Sequence, residues 1–171
     1  MYCGQTDVSL SQQGMQELLA LKNSIVYPTA DVYITSGLKR TAETLQVLYD
    51  KDPDIVISEF KELNFGDFEM KSYEELKNRP EYQQWIGGAH DFACPNGESK
   101  AEFNGRVRIG LEKLCGIKAD SAVVICHGGV IVHIMERMFP KQRNFYEWQP
   151  ENGRGYSLEI KAEKTILISE I

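Results

Sequence analysis

The sequence predicts an α/β protein: a three-layer α/β/α sandwich with a mainly parallel sheet, an antiparallel C-terminal edge and a small helical cap insertion. Short apolar runs alternate with amphipathic helical patterns along most of the chain, as in right-handed βαβ units that place helices on both faces of a sheet. Two adjacent strand-like runs at the end of the chain predict a hairpin. Its 171 residues are enough for a single domain, 1–171, with its own core.

The first half of the predicted sandwich contains two helices and two strands. A helix over 11–23 begins at the capping residue Ser11 and carries an apolar face. Residues 31–35 predict a short buried strand. Apolar residues at helical spacing over 38–49 predict a helix that packs against a sheet, and residues 54–58 predict the second strand.

Two helix starts in the second half carry a capping box, in which a serine and a glutamate three residues later satisfy each other's free backbone amides. The pairs are Ser72 with Glu75 and Ser99 with Glu102. The helix that starts at Ser99 has an apolar stripe and is expected to stop at Gly116.

The rest of the chain completes the sheet. The continuous apolar run 122–126 is typical of a strand covered on both faces, and residues 130–138 predict a buried helix. Residues 156–161 and 164–170 predict the closing antiparallel hairpin. Residues 62–98 break the alternation with short polar helices and turn-forming residues, and we assign them to the cap insertion.

Composition and charge exclude several functions. Lysine and arginine number 19 against 25 acidic residues, a net charge of −6, and no basic run is set between aromatic residues, which argues against nucleic acid as a partner. No apolar run approaches the roughly 20 residues that cross a bilayer, and the chain starts with polar sequence, so we expect no membrane association and a cytoplasmic location. Cysteines and histidines lack the spacing of metal ligands, and no metal site is expected.

Three places carry residues suited to chemistry, because ligands of such sheets bind beyond the carboxyl ends of the strands. His127 follows an apolar strand and precedes two glycines and a helix, a geometry that suits an anion. Arg40 falls in the first turn of another helix and can grip a phosphate with two parallel bonds. Glu62 lies among aromatic residues, whose desolvation raises a carboxyl pKa toward the range of a general acid.

Each of these residues also has a plain alternative. His127 can be a core histidine bonded to a backbone carbonyl, and Arg40 a solvated surface charge. Glu62 can belong to a charged loop that its phenylalanine neighbours pack. The sequence around each residue, taken alone, leaves both interpretations open.

These segments, together with two others, occur in the same order as the motifs of the histidine phosphatase (phosphoglycerate mutase-like) superfamily, which the chain therefore resembles. Tyr2–Ser11 is similar to the stretch that follows the first catalytic motif of the family, and Ser36–Thr44 is similar to the motif S-P-L-x-R-A-x-x-T. The Glu62 segment is similar to E-x-x-F-G-x-W-E-G, and Asn96–Ser99 is similar to G-G-E-S. His127-Gly128-Gly129 completes the set. The length and the Glu-Leu-Asn-Phe-Gly-Asp-Phe segment most resemble the α-ribazole phosphate phosphatase-like branch. Gly37 stands where the family usually has proline, and Met70 where it usually has glycine.

The resemblance implies a metal-independent phosphatase without cofactors that acts on a small phosphorylated metabolite. In this mechanism a histidine attacks phosphorus, a carboxylic acid protonates the leaving alkoxide, and water then releases phosphate. The resemblance implies that Glu62 and His127 are catalytic and that Arg40 and Gly128 bind phosphate. It implies substrate contacts at Cys3 and Gly4, and it leaves a homodimer open.

The R-H-G strand that carries the nucleophilic histidine of the family has no counterpart in this sequence. Neither His90, in the presumed cap, nor His133, inside an apolar helix, is expected to replace it. The family's strand lies within the sheet, so we expect its absence to expose two strand edges. One interpretation is a truncated phosphatase, and the alternative is a catalytically inactive phosphate-binding pseudo-enzyme.

Overall fold

The computed structural model describes residues 1–88, 92–160 and 165–171. The order of its helices and strands confirms the predicted α/β class. The elements are α1 (Gln12–Ser24), β1 (Val32–Thr35), α2 (Lys39–Tyr49), β2 (Ile55–Val56), α3 (Tyr73–Leu76), α4 (Pro80–Ile86), α5 (Lys100–Cys115), β3 (Ala122–Ile125), α6 (Gly128–Met138), α7 (Phe145–Trp148), β4 (Tyr156–Ile160) and β5 (Thr165–Glu170).

The sheet consists of three parallel strands in the order β2-β1-β3. In the register of β1 with β3, Val32 faces Ala122 and Thr35 faces Ile125. Because the strands are parallel, the residues that follow β1 and β3 meet at the same edge of the sheet. Strands β4 and β5 form an antiparallel pair with its own two-stranded sheet, which confirms the predicted C-terminal hairpin.

Helices cover both faces of the parallel sheet. Ile34 of β1 points into the main core, where Phe103, Val107 and Leu111 of α5 and Val130 of α6 pack. On the opposite face the ring of Tyr33 contacts Tyr49 of α2, with 5.1 Å between the ring centroids. Alternate side chains of one strand thus serve two helical layers, as the pleat of a strand requires.

A second, smaller core lies in the segment predicted as the cap insertion. Phe68, Leu76, Tyr82 and Cys94 are buried there, and Trp85 and Tyr2 pack against them. A third cluster joins α6, α7 and the β4–β5 hairpin around Trp148, which is buried. The chain therefore folds around several apolar clusters.

The predicted helix starts are confirmed at atomic detail. The Ser11 hydroxyl accepts from the Gly14 amide, and both predicted capping boxes have both of their hydrogen bonds. A third box, Asn144 with Glu147, starts α7, which the sequence patterns did not predict.

Three elements differ from the sequence patterns, two in their exposure and one in its length. In α1 only Leu18 is buried, because this helix lies on the surface against α2. Strand β2 is two residues long and leads into a 3-10 turn over Ser58–Phe60. Strand β3 was expected to be covered on both faces, but Ala122 is exposed and Val123–Ile125 are half-buried.

Four strands in the described part of the chain have an unpaired edge. Strands β2 and β3 each pair with β1 alone, and β4 and β5 pair only with each other. The expectation that the absent family strand exposes two edges stays a prediction, and the unpaired edge of β3 accounts for the partial exposure of this strand. Lys161 and Lys164, the ends of the two predicted hairpin strands that lie next to the turn, are outside the described residues, as is His90.

Candidate active site at the carboxyl edge of the sheet

The site begins where β1 and β3 end side by side. Ser36 directly follows β1, and His127 follows β3 after one residue. The Ser36 hydroxyl and the His127 Nε2 atom are 2.8 Å apart, and both side chains are buried. The fold therefore joins two segments that lie 91 residues apart in the sequence.

Arg40 lies in the first turn of α2, beside this pair. Its two terminal nitrogens donate to the carbonyl oxygens of Thr6, at 3.1 Å, and Gly4, at 2.5 Å. A guanidinium has five N–H groups, so Nε and one hydrogen on each terminal nitrogen remain for a ligand. Arg40 is thus anchored by the N-terminal segment and keeps donors for an anion.

Glu62 approaches from the loop that follows β2. Its Oε1 accepts from the Leu63 amide at 2.8 Å and its Oε2 from the Gly129 amide at 3.0 Å. A Cβ atom on residue 129 would lie 2.4 Å from Glu62 Oε1, so any larger residue there would push the Glu62 carboxyl group out of this position. The second glycine after His127 therefore lets the carboxyl group reach the start of α6.

Burial and charge set the protonation of the two groups. Burial raises the pKa of Glu62 above its ordinary value, although amide hydrogen bonds and the charges of Arg40 and Arg106 oppose the rise. Burial, together with the same two arginines, lowers the pKa of His127 to about 3. The site thus favours a neutral imidazole and a carboxyl group that holds a proton more tightly than usual, as a general acid must.

Arg106 of α5 is a site residue that the sequence patterns missed. Its guanidinium makes two bonds to Glu98, from Nε at 2.7 Å and from NH2 at 2.8 Å. The same guanidinium donates to the carbonyl oxygens of Glu59, Lys61 and Glu62. It therefore holds the backbone that carries Glu62.

Glu69 fixes the N-terminal segment from the side opposite Arg40. Its carboxylate accepts from the amides of Gly4, Gln5 and Thr6 and from the Thr6 hydroxyl. Burial alone would raise the pKa of Glu69, but these hydrogen bonds outweigh it and lower the pKa. Both backbone groups of Gly4 thus already have partners within the protein.

Gly128, the first residue of α6, lies against the side-chain amide of Gln149. A Cβ atom at position 128 would lie 2.2 Å from Gln149 Nε2. Cys3 is half-buried with a free thiol, one residue from Gly4. No sequence pattern pointed to Gln149, because its contact with Gly128 depends on the loop after α7.

The two departures from the family motifs occupy special backbone positions. Gly37 has φ +85°, a conformation that proline cannot adopt, and Met70 has φ +59°. A non-glycine residue costs about 1 kcal/mol or more in this region. The first departure therefore fits the loop, and the second strains it.

Three of the predicted residues share one region. Gly129 connects Glu62 to the strand end that carries His127, and the charge of Arg40 acts on the pKa of both. Two open surface depressions lie elsewhere, one between α1 and Glu151 and one beside Asp31.

In the three described stretches of the chain, no helix is long and apolar enough to cross a membrane. The same stretches contain no group of three histidine, cysteine, aspartate or glutamate side chains arranged to hold a metal ion.

Solved structures share this fold. The α-ribazole phosphatase of Shigella flexneri superposes with a TM-score of 0.85 at 21% identity, over 98% of this chain and 86% of that chain. A phosphoglycerate mutase from Thermus thermophilus superposes with a TM-score of 0.70 at 24% identity, over 99% and 88% of the two chains.

Sequence comparison identifies the family. The adenosylcobalamin/alpha-ribazole phosphatase of Salmonella typhimurium is 24% identical over 166 residues, 94% of this chain and 82% of the relative. Phosphoglycerate mutase-like protein 4 of Arabidopsis thaliana is 32% identical over 149 residues, 82% of this chain and 64% of the relative. The sequence profile of branch 1 of the histidine phosphatase superfamily matches residues 1–169, and the chain therefore belongs to that family.

Proposed function

We propose that this chain forms the phosphate-holding part of a metal-independent phosphomonoesterase site for a small metabolite. Relatives named as α-ribazole phosphatases and as phosphoglycerate mutases both match the chain. The first group favours a phosphatase, and the short segment 62–98 agrees with it, since the mutases of the family generally carry longer insertions there. The proposed substrate class is a phosphate ester with an organic leaving group.

The observation that carries the proposal is the placement of Glu62 against the start of α6. The Gly129 amide donates to Glu62 Oε2 at 3.0 Å, two residues after His127. Arg40 is close enough to lower the pKa of both groups. A proton donor, a fixed positive charge and a histidine thus surround the start of a helix, where free amides and the helix dipole favour an anion.

Each residue then has one role. Arg40 donates its remaining N–H groups to phosphoryl oxygens, and His127 and the Gly128 amide stabilise their charge. Glu62 gives its proton to the alkoxide as the bond between phosphorus and the ester oxygen breaks. Cys3 and Gly4 are assigned to contact with the organic part of the substrate, as the family resemblance implies.

The nucleophile is the part of this mechanism that the sequence does not supply. The sequence contains no Arg-His-Gly. The Nε2 atom of His127 lies against Ser36, and the His133 ring packs on Phe103. Burial raises the pKa of Cys126 to about 12, so its thiol is protonated at neutral pH. These observations favour the second candidate for the chain as it stands: a domain that binds phosphate without turnover.

Titration calorimetry with inorganic phosphate tests the proposal on the 171-residue chain. We expect saturable binding that weakens at least tenfold, about 1.4 kcal/mol, in Arg40→Ala and in His127→Ala. Lys39→Ala is the matched control, because Lys39 is the exposed neighbour of Arg40 and carries the same charge. Absence of binding, or equal weakening in all three variants, would overturn the proposed site.

Hydrolysis of p-nitrophenyl phosphate separates the two candidates. The chain itself is expected to show no turnover. If the reading frame upstream of Met1 encodes an R-H-G strand, the extended protein is expected to hydrolyse the ester equally well with and without EDTA. Activity that EDTA abolishes contradicts the metal-independent mechanism, and turnover by the 171-residue chain contradicts the missing nucleophile.

A further inference from the structure

A chain of three buried side chains leads from His127 into the start of α2. The Nε2 atom of His127 lies 2.8 Å from the Ser36 hydroxyl, which lies 3.2 Å from the Thr41 hydroxyl. The Thr41 hydroxyl lies 2.7 Å from the carbonyl oxygen of Leu38. Ser36 and Thr41 are at most 2% exposed, so water does not compete for these bonds.

The direction of the hydrogen bonds follows from the last contact. A carbonyl oxygen only accepts, so the single hydrogen of the Thr41 hydroxyl points to Leu38. The Thr41 oxygen can then only accept from Ser36, which uses the single hydrogen of Ser36. The Ser36 oxygen is left to accept, and its partner is the Nε2 atom of His127.

The opposite arrangement leaves a contact without a proton. If Ser36 donated to His127, one contact between two oxygens would have no hydrogen: either Ser36 with Thr41 at 3.2 Å or, if Thr41 turned to Ser36, Thr41 with the Leu38 carbonyl at 2.7 Å. Buried polar atoms without a hydrogen bond are unfavourable. The Leu38 amide, 3.4 Å from the Ser36 oxygen, adds a second donor to an oxygen that already acts as acceptor.

We propose that Ser36 and Thr41 are positioning residues that hold neutral His127 with its proton on Nε2 and leave Nδ1 unprotonated. The low pKa of His127, about 3, agrees with a neutral ring at pH 7. The functional meaning rests on the proposed phosphate site: because Ser36 holds the Nε2 proton, His127 stabilises phosphoryl charge by taking up a second proton at Nδ1, which a bound anion favours. The position of the ring proton can be measured directly by NMR.

The test is long-range ¹H–¹⁵N correlation spectroscopy of the imidazole nitrogens at pH 7 in phosphate-free protein. His127→Gln identifies the His127 signals by their loss. We expect the Nε2–H pattern in the unmodified protein. In Thr41→Val the Ser36 hydrogen loses its acceptor and turns to Nε2, so the ring is expected to switch to the Nδ1–H form.

Matched variants separate this role from a general disturbance of the fold. Thr41→Ser keeps the hydroxyl and is expected to restore the Nε2–H pattern. In the unmodified protein the backbone amide of residue 41 donates to the Leu38 carbonyl oxygen at 2.9 Å. Thr41→Val keeps this amide, so α2 can still start there. In Ser36→Ala the Nε2 atom loses its partner, and a mixture of both ring forms is expected.

An Nδ1–H pattern in the unmodified protein would overturn the proposal, and so would a Thr41→Val spectrum identical to it. If Thr41→Val does not fold, as backbone amide spectra would show, Ser36→Ala decides: an unchanged pure Nε2–H pattern there contradicts the inference. No phosphate is present in this experiment, so its failure is distinct from a failure of phosphate binding.

Discussion

At the scale of single residues, His127 shows how a site residue can weaken the fold. The ring is 8% exposed, and burial with two nearby arginines lowers its pKa to about 3 from an ordinary 6.5. Between these values the unfolded chain binds a proton that the folded protein does not. The stability that depends on the neutral ring is therefore complete above pH 6.5 and is lost as the pH falls toward 3.

We predict that this residue makes the protein sensitive to mild acid. One pKa unit corresponds to about 1.4 kcal/mol, so between pH 7 and pH 5 the loss from His127 is about 2 kcal/mol. Urea unfolding at the two pH values measures it, and His127→Gln is expected to remove that part of the pH dependence. Glu62 acts in the opposite direction, because its raised pKa favours the folded state at low pH. Both proteins contain Glu62, so its contribution cancels when their pH dependences are compared. Equal pH dependence in both proteins would show that the ring titrates normally.

At the scale of elements, α5 carries two arginines that differ in their environment. Arg106 and Glu98 are about one-fifth exposed and are joined by two bonds. Arg108 and Glu112 form an ion pair on the solvent face, where each is at least half exposed. Removing one partner of a buried pair leaves an uncompensated charge, whereas an exposed pair contributes little.

We predict that Arg106→Ala lowers the free energy of unfolding by about 3 kcal/mol and that Arg108→Ala lowers it by about 0.5 kcal/mol or less. Both substitutions remove the same side chain from the same helix, two positions apart. Arg106→Ala is also expected to weaken phosphate binding, since the carbonyl oxygens of Glu59, Lys61 and Glu62 lose the hydrogen bonds by which Arg106 holds the loop that carries Glu62. Equal destabilisation by both substitutions would exclude a structural role for the buried pair.

Local signals made several elements predictable from the sequence. The boxes at Ser72 and Ser99 depend on residues three positions apart, and both form as predicted. The box at Asn144 has the same spacing, but it begins with asparagine, whereas the capping-box pattern calls for serine or threonine. The helices after Ser72 and Asn144 are both four residues long, so the identity of the capping residue, and not the length of the helix, decided which start was recognised.

Long-range contacts could not be predicted in the same way. The family motifs indicated Arg40, Glu62 and His127, but no pattern showed that Arg40 is held by the carbonyls of Gly4 and Thr6. Arg106 was missed because its partners include backbone carbonyls 44 to 47 residues away. The full cover predicted for β3 failed, because apolar composition does not reveal whether a strand has neighbours on both edges.

At the scale of the whole molecule, the N-terminal segment connects the small second core to the sheet. Tyr2 packs on Phe65 and Trp85 in that core, and its backbone pairs with residues 70 and 71. Residues 4–6 then pass between Arg40, which binds their carbonyl oxygens, and Glu69, which binds their amides. Glu69 therefore stabilises Arg40 indirectly, through the backbone that both residues share.

We predict that Glu69→Gln loosens residues 4–6 and weakens phosphate binding although Glu69 touches no phosphate donor directly. Amide hydrogen exchange at Gly4, Gln5 and Thr6 is expected to accelerate at least tenfold, since a carboxamide cannot accept all of these bonds. The exposed Glu74, which bonds to Lys77, gives the matched control Glu74→Gln.

The pH dependence of the same amides tests the role of the charge. The pKa of Glu69 is lowered from an ordinary 4.5, so its contribution to stability is complete above pH 4.5 and is lost as the pH falls through the lower folded value. Protection of residues 4–6 is therefore expected to decline below pH 4.5 in the unmodified protein and to be low at all pH values in Glu69→Gln. If that variant exchanges as slowly as the Glu74→Gln control, Arg40 alone holds the segment, and the second core and the phosphate site are independent of each other.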